Sequence, residues 1–134
     1  MANMWSRALG AALLLCLPCV AGAQSGGDDV RKRHINCAAV LGVAGTISAD
    51  KKVQDKYSGA SMLLLLWASD LPTNQPAKAR SDAATREFAG QVTEIGRTIK
   101  VGTPAATKAF EEKYGSAQMA CEAWLRAELK KRKS

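Results

Sequence analysis

The chain has 134 residues, 19 Lys and Arg against 12 Asp and Glu, and a formal charge of +7. This length is enough for about one ordinary domain and leaves no room for a second. Because the chain contains one histidine, His34, a Ser-His-Asp or Cys-His catalytic group has a single candidate base.

Residues 1–23 have the pattern of a cleaved signal peptide. Arg7 supplies the positive charge, residues 8–17 are apolar, and Ala21-Gly22-Ala23 is a small-residue cleavage site. The apolar run has ten residues, whereas a membrane-spanning helix needs about 20. We therefore expect cleavage near Ala23–Gln24 and a periplasmic or secreted mature chain of 111 residues.

The chain has four cysteines, of which Cys16 and Cys19 fall within the predicted signal peptide. A lipid anchor there is the alternative, although neither cysteine follows the small residue that lipoprotein processing prefers. An exported chain that keeps only Cys37 and Cys121 is expected to join them in a disulfide. We expect no metal site, because these two cysteines lie 84 positions apart and only one histidine is present.

The first predicted helix begins near Asp29 and runs to about Ser48, with apolar positions every three or four residues. Ala38, Gly42 and Gly45 form a stripe of small residues on it. This stripe predicts close approach by a neighbouring helix. A phosphate-binding loop is not indicated, because no strand precedes the glycines.

A second helix is predicted from Asp50 and Lys51 to about Asp70. One face of it is apolar at regular helical spacing, and comprises Val53, Tyr57, Ala60, Leu64, Trp67 and Leu71. Residues 62–68 are apolar all round and are therefore expected at the centre of the core. A strand would also fit this run, but its length and lack of β-branched residues favour a helix.

Two further helices follow a predicted loop at Pro72–Pro76. The third begins at Pro76, and its apolar stripe comprises Ala84, Phe88, Val92, Ile95 and Ile99. Gly102-Thr103-Pro104 predicts a glycine stop, a threonine cap and a proline in the first turn of the fourth helix. That helix extends towards Lys131, and its stripe comprises Ala106, Phe110, Tyr114, Ala117, Cys121, Leu125 and Leu129.

Four amphipathic segments with short connections predict an all-α, four-helix up-down bundle. Cys37 and Cys121 would lie about 10 and 15 Å from the same end of such a bundle, so a disulfide between its first and last helices is geometrically reasonable. The predicted organisation is a flexible segment at residues 24–28, one helical domain at 29–131 and a basic tail end at 132–134.

No residue pattern indicates catalysis, a cofactor or nucleic-acid binding, and we expect that the chain is not an enzyme. His34 falls on the inward stripe one turn before Cys37 and is interpreted as a packed or helix-start residue. Glu122 and Glu128 are interpreted as surface partners of Arg126 and Lys130 on the same helix.

The end of the chain is strongly basic, since Lys130, Lys131, Arg132 and Lys133 are consecutive. Such a run is typical of a solvated helix terminus, where cations also suit the helix dipole. The functional alternative is contact between these residues, together with Arg126, and an anionic surface or acidic partner.

The layout around Asn36-Cys37-Ala38, the helix over 62–70 and the late Ala120-Cys121 resembles small exported two-cysteine helical proteins of proteobacteria, which largely lack an assigned function. More loosely, it is similar to periplasmic immunity proteins of the Rap and Tai kind. Both resemblances point away from enzymes. Because the chain is expected to have a compact core joined by one disulfide and shows no catalytic group, we expect a non-enzymatic protein-interaction, inhibitor or immunity-type module with a protein partner. Binding of anionic envelope components and carriage of a small apolar ligand are the two alternatives.

Overall fold

The computed structural model describes residues 29–71 and 75–133, and the regular structure in these two ranges is entirely helical. Residues 29–47 are helical and are called α1. The helices that follow are α2 (Lys51–Asp70), α3 (Ala77–Ile99) and α4 (Ala106–Lys133). The core lies within the compact unit that begins at Arg31.

An all-α fold with four helices is therefore confirmed for the described residues, while their up-down order stays a prediction. The predicted signal peptide, its cleavage site near Ala23–Gln24 and the segment 24–28 lie outside the described residues, as do residues 72–74 of the predicted loop. None of the helices in the two described ranges has an apolar stretch sufficient to cross a bilayer.

The first described helix, α1, lies at the centre of the core. Every residue from His34 to Gly45 is buried, apart from Asn36 and Gly42. Three clusters of buried side chains surround α1, formed with α3 and α4, with α2 and α4, and with α2 and α3. A helix that is apolar around most of its circumference has to be covered on several sides, and the other three helices provide that cover.

The predicted close approach along the small-residue stripe is confirmed, and the neighbour is α2. A Cβ added to Gly45 would lie 3.1 Å from the Cβ of Tyr57 and 3.3 Å from the carbonyl oxygen of Gln54. Two turns earlier on α1, the hydroxyl of Ser61 donates a hydrogen bond of 2.7 Å to the carbonyl oxygen of Ala38. The two backbones therefore pack with almost no side chain between them.

The predicted disulfide is confirmed. Cys37 of α1 and Cys121 of α4 are bonded, with a Cα–Cα distance of 5.4 Å. Both cysteines are buried and pack in one cluster with Leu41 and Leu64. The first and last helices are thus joined covalently inside the core.

The expectation that residues 62–68 form the centre of the core is wrong in part. Met62 is 73% exposed and Leu66 is 58% exposed, while Leu64 and Ala68 are buried. The reason is that α2 packs against the outside of α1, so only one of its faces can be covered. The centre is occupied by α1 instead.

The start of α2 is as predicted, since the carboxylate of Asp50 accepts a hydrogen bond of 2.9 Å from the backbone N–H of Lys52. The predicted threonine cap of α4 is wrong. The hydroxyl of Thr103 donates backwards to the carbonyl oxygen of Lys100 at 2.7 Å, and α4 begins at Ala106. Lys100 itself ends α3 in the left-handed region, with a φ of 56°.

Candidate functional site

A groove of about 380 Å³ lies between α2 and α4 and is open to solvent along one side. Leu41 of α1 forms its floor, and its other apolar lining comprises Gly59, Ala60, Leu63, Leu125 and Leu129. Lys56, Tyr57, Glu122 and Arg126 complete the lining. This size is within the usual range of about 300–1,000 Å³ for ligand sites.

One end of the groove is closed by a polar network that joins α2 to α4. The hydroxyl of Tyr57 donates to Oε1 of Glu122 at 2.5 Å, and Nε2 of Gln118 donates to the same hydroxyl at 2.8 Å. Nζ of Lys56 lies 3.7 Å from that Oε1. The carboxylate of Glu122 therefore faces α2, whereas its spacing from Arg126 predicts pairing along α4.

This environment raises the pKa of Tyr57 above its ordinary value of 10.0. Burial of the phenol is the largest cause, and the hydrogen bond to the Glu122 carboxylate adds to it. The hydrogen bond from Gln118 acts in the opposite direction, and the negative charge of Glu122 again disfavours a tyrosinate.

We expect Tyr57 to titrate above pH 10.0 in a Tyr114→Phe variant, in which it is the remaining tyrosine. Because the folded pKa is raised, the stabilisation is complete below the unfolded pKa and is lost as the pH rises through the folded pKa. At neutral pH, Tyr57→Phe should lower the free energy of unfolding by about 1 kcal/mol, and this difference should vanish at high pH. Tyrosinate absorbance measures the titration of Tyr57, and urea unfolding measures the difference in stability. A titration midpoint at or below pH 10.0 would contradict the raised pKa.

A stack of aromatic and cationic side chains lies beyond the other end of the groove. The guanidinium of Arg132 lies 3.9 Å from the ring centroid of Trp67, and that of Arg33 lies 5.5 Å from Trp124. The ring of His34 packs edge-on between the two indoles, with centroid distances of 6.1 and 4.6 Å. The interpretation of His34 as a packed residue is confirmed, since its side chain is buried.

These contacts give the direction of the two groove helices. Tyr57 meets Glu122, and Trp67 meets Arg132, so both helices advance by ten residues from one contact to the other. Helices α2 and α4 therefore run side by side in the same direction along the groove.

The edge of the groove on α2 is apolar and exposed. Gly59, Met62 and Leu66 are spaced by three and four residues, which places them along one stripe of the helix. We call these three residues the apolar rim. Met62 and Leu66 are among the most exposed large apolar side chains of the described residues.

The edge of the groove on α4 is basic. Arg126 lines the groove, and Lys130 and Lys133 follow it at spacings of four and three residues on the same helix face. We call Arg126, Lys130 and Lys133 the basic rim. All three are exposed.

The five residues that were predicted to contact an anionic surface therefore lie in different environments. Arg132 lies on the ring of Trp67, and Nζ of Lys131 lies 3.5 Å from Oε1 of Glu128. The predicted basic tail end also belongs to a regular element, since α4 remains helical through Lys133. Ser134 lies outside the described residues.

Within the part of the chain that the structure describes, no three His, Cys, Asp or Glu side chains are grouped closely enough to hold a metal ion. Cys37 and Cys121 are joined to each other, so neither is a thiolate nucleophile in this state. The chemistry that the groove offers is apolar contact combined with positive charge along one edge.

No protein-family profile, curated protein or solved structure matches this chain. The groove is therefore the feature that points to a function. The resemblance to small exported two-cysteine proteins stays an expectation.

The sequence pattern did not indicate the groove or the link between Tyr57 and Glu122. Tyr57 and Leu125 were assigned to buried stripes, and both are only partly buried. A usable signal was present in the four consecutive small residues 58–61, which come directly before the bulky apolar run at 62–67. Small side chains at that point leave space between α2 and α4.

Proposed function

We propose that this chain is an exported, non-enzymatic protein-interaction module of the inhibitor or immunity type, which binds a protein partner in the groove between α2 and α4. The observation that carries the proposal is an apolar groove bordered by the exposed side chains of Met62 and Leu66. Exposed apolar surface beside a concave site is typical of a surface that a partner covers. Covering it would remove both side chains from water.

A protein partner accounts for more of this surface than a small ligand does. An apolar molecule of a size that fits about 380 Å³ would contact the floor at Leu41 and the walls. It would leave Met62 and Leu66 exposed, because they lie on the outer stripe of α2. A protein that enters the groove and extends over the apolar rim would cover all of these side chains.

We also propose that the protein acts outside the cytoplasm, after cleavage near Ala23–Gln24. The disulfide between Cys37 and Cys121 supports this location, because such bonds persist in oxidising compartments. An up-down order of the four helices belongs to the same proposal, and the shared direction of α2 and α4 supports it.

A glycine pair in the chain provides a matched test of the proposed interaction. A Cβ at Gly59, in the groove, or at Gly90, on α3, would meet no atom within 4 Å. Replacement of either glycine by glutamate should leave the fold intact and should raise helix stability by about 0.5–1 kcal/mol. Both substitutions change the net charge equally, but only Gly59→Glu places a carboxylate in the groove.

We expect tagged wild-type chain and Gly90→Glu, crosslinked in their native compartment, to recover the same stoichiometric protein. Gly59→Glu should lose it while retaining the helical circular dichroism spectrum of the wild type. Recovery of the same protein with Gly59→Glu would show that the groove is not the contact. Absence of any stoichiometric protein with the wild type would contradict the interaction itself.

A further inference from the structure

We propose that the occupant of the groove is an acidic amphipathic α-helix of the partner protein, lying between α2 and α4. This inference rests on the proposed function and specifies the chemistry of the partner. It follows from the length of the groove, from the different chemistry of its two rims, and from the poorer fit of other occupants to this surface.

The length of the groove matches two turns of a helix. Its walls are residues 56–63 of α2 and residues 122–129 of α4, and each spans about 10.5 Å at 1.5 Å per residue. A helix with apolar residues at positions i, i+3 or i+4, and i+7 presents anchors over the same length. These anchors would contact Ala60, Leu63 and Leu125, with Leu41 beneath them.

Each flank of that helix has to match the rim that it faces, and the two rims differ in chemistry. The apolar rim has no charge to pair, so the flank above Met62 and Leu66 has to be apolar. The basic rim presents Arg126, Lys130 and Lys133 in a row, which matches Asp or Glu residues spaced by three and four positions. The partner helix is therefore apolar on one side and acidic on the other.

Other occupants fit this surface less well. A second copy of this chain, whose formal charge is +7, would bring a further excess of positive charge to a groove that is already bordered by Arg126, Lys130 and Lys133. A membrane is flat and would not reach the floor of the groove at Leu41. A single acyl chain could reach the floor, but it would leave the apolar rim uncovered.

A displayed library of random peptides of about 16 residues, long enough for four helical turns, tests the inference directly. Selection uses the full chain, with counter-selection against the Gly59→Glu variant. We expect the enriched peptides to share apolar residues at helical spacing and Asp or Glu along one flank. Enrichment of basic or non-periodic peptides, or no enrichment, would overturn the inference.

The best peptide then allows each rim to be measured by fluorescence anisotropy. Arg126→Gln with Lys130→Gln should weaken binding about five- to tenfold and reduce its salt dependence. Lys78→Gln with Lys108→Gln is the matched control, because both lysines are exposed and lie outside the groove lining, and it should have little effect. A proline at the centre of the peptide should weaken binding at least about tenfold if the bound form is helical.

Two other probes separate this inference from the proposed function. Binding of dodecanoate in the groove, or of phosphatidylglycerol vesicles to the basic rim, without peptide binding would identify an anionic amphiphile or a lipid surface and would overturn the acidic helix. If the native partner is recovered in a Gly59-dependent manner but no helical peptide binds, the interaction module stands and the helical occupant is wrong.

Discussion

Reduction of the Cys37–Cys121 disulfide is expected to lower the free energy of unfolding by about 4 kcal/mol. The two cysteines are 84 positions apart, so the bond removes a large amount of conformational entropy from the unfolded chain. A small domain is stable by only about 5–15 kcal/mol, so this loss is a large fraction of the total. Urea unfolding of the oxidised and reduced protein measures it.

The Cys37→Ala/Cys121→Ala variant separates the covalent link from packing. Reduction leaves both sulfur atoms in place, whereas the double variant also removes them from the cluster that contains Leu41 and Leu64. The variant should therefore be somewhat less stable than the reduced protein and insensitive to dithiothreitol. Equal urea midpoints for the oxidised and reduced wild type would contradict a stabilising disulfide.

Replacement of Gly45 by leucine is expected to lower the free energy of unfolding by about 3 kcal/mol. The first carbon of any side chain there would already lie 3.1 Å from the Cβ of Tyr57 and 3.3 Å from the backbone oxygen of Gln54. Neither atom belongs to the flexible end of a side chain, so α1 and α2 would have to separate. Their separation would also disturb the contact of Tyr57 with Glu122 across the groove.

Gly90→Leu is the matched control for this substitution. Its Cβ meets open space, and the loss of a glycine from a helix should stabilise the protein by about 0.5–1 kcal/mol. Urea unfolding of the two variants should therefore give changes of opposite sign. If Gly45→Leu and the wild type unfold at the same urea concentration, the backbones of α1 and α2 are not in close contact at Gly45.

Helical periodicity was sufficient to predict the local structure of much of this chain. The start of α2 was predicted where Asp50 and Lys51 interrupt the apolar run, and the stripe of α3 follows the predicted positions, with Ala84, Ile95 and Ile99 buried. The disulfide followed from the count of cysteines outside the predicted signal peptide and from their place on apolar stripes. Each of these features depends on residues close in sequence or on a simple count.

The exposure of Met62 and Leu66 could not be predicted in the same way, because apolar character does not say which side chains find a neighbour. Their exposure depends on which helix occupies the centre of the core. Helix α1 occupies it, because its small residues let α2 approach closely. The groove has the same origin, since it is a space left between two helices that are distant in sequence. The glycine turn at Gly102 was predicted, but the end of α3 at Lys100 was not, because a positive φ is unusual for lysine.

Because α1 is enclosed by the other helices, it tolerates fewer substitutions than they do. Between Ile35 and Gly45, substitutions at the buried positions meet packed neighbours, so this segment accepts little change whatever the chemistry. The two rims of the groove belong to α2 and α4 and face water, so they accept new side chains at small energetic cost. The scaffold and the rims of the groove can therefore evolve separately, with the crosslinked centre kept and the outer surface changed.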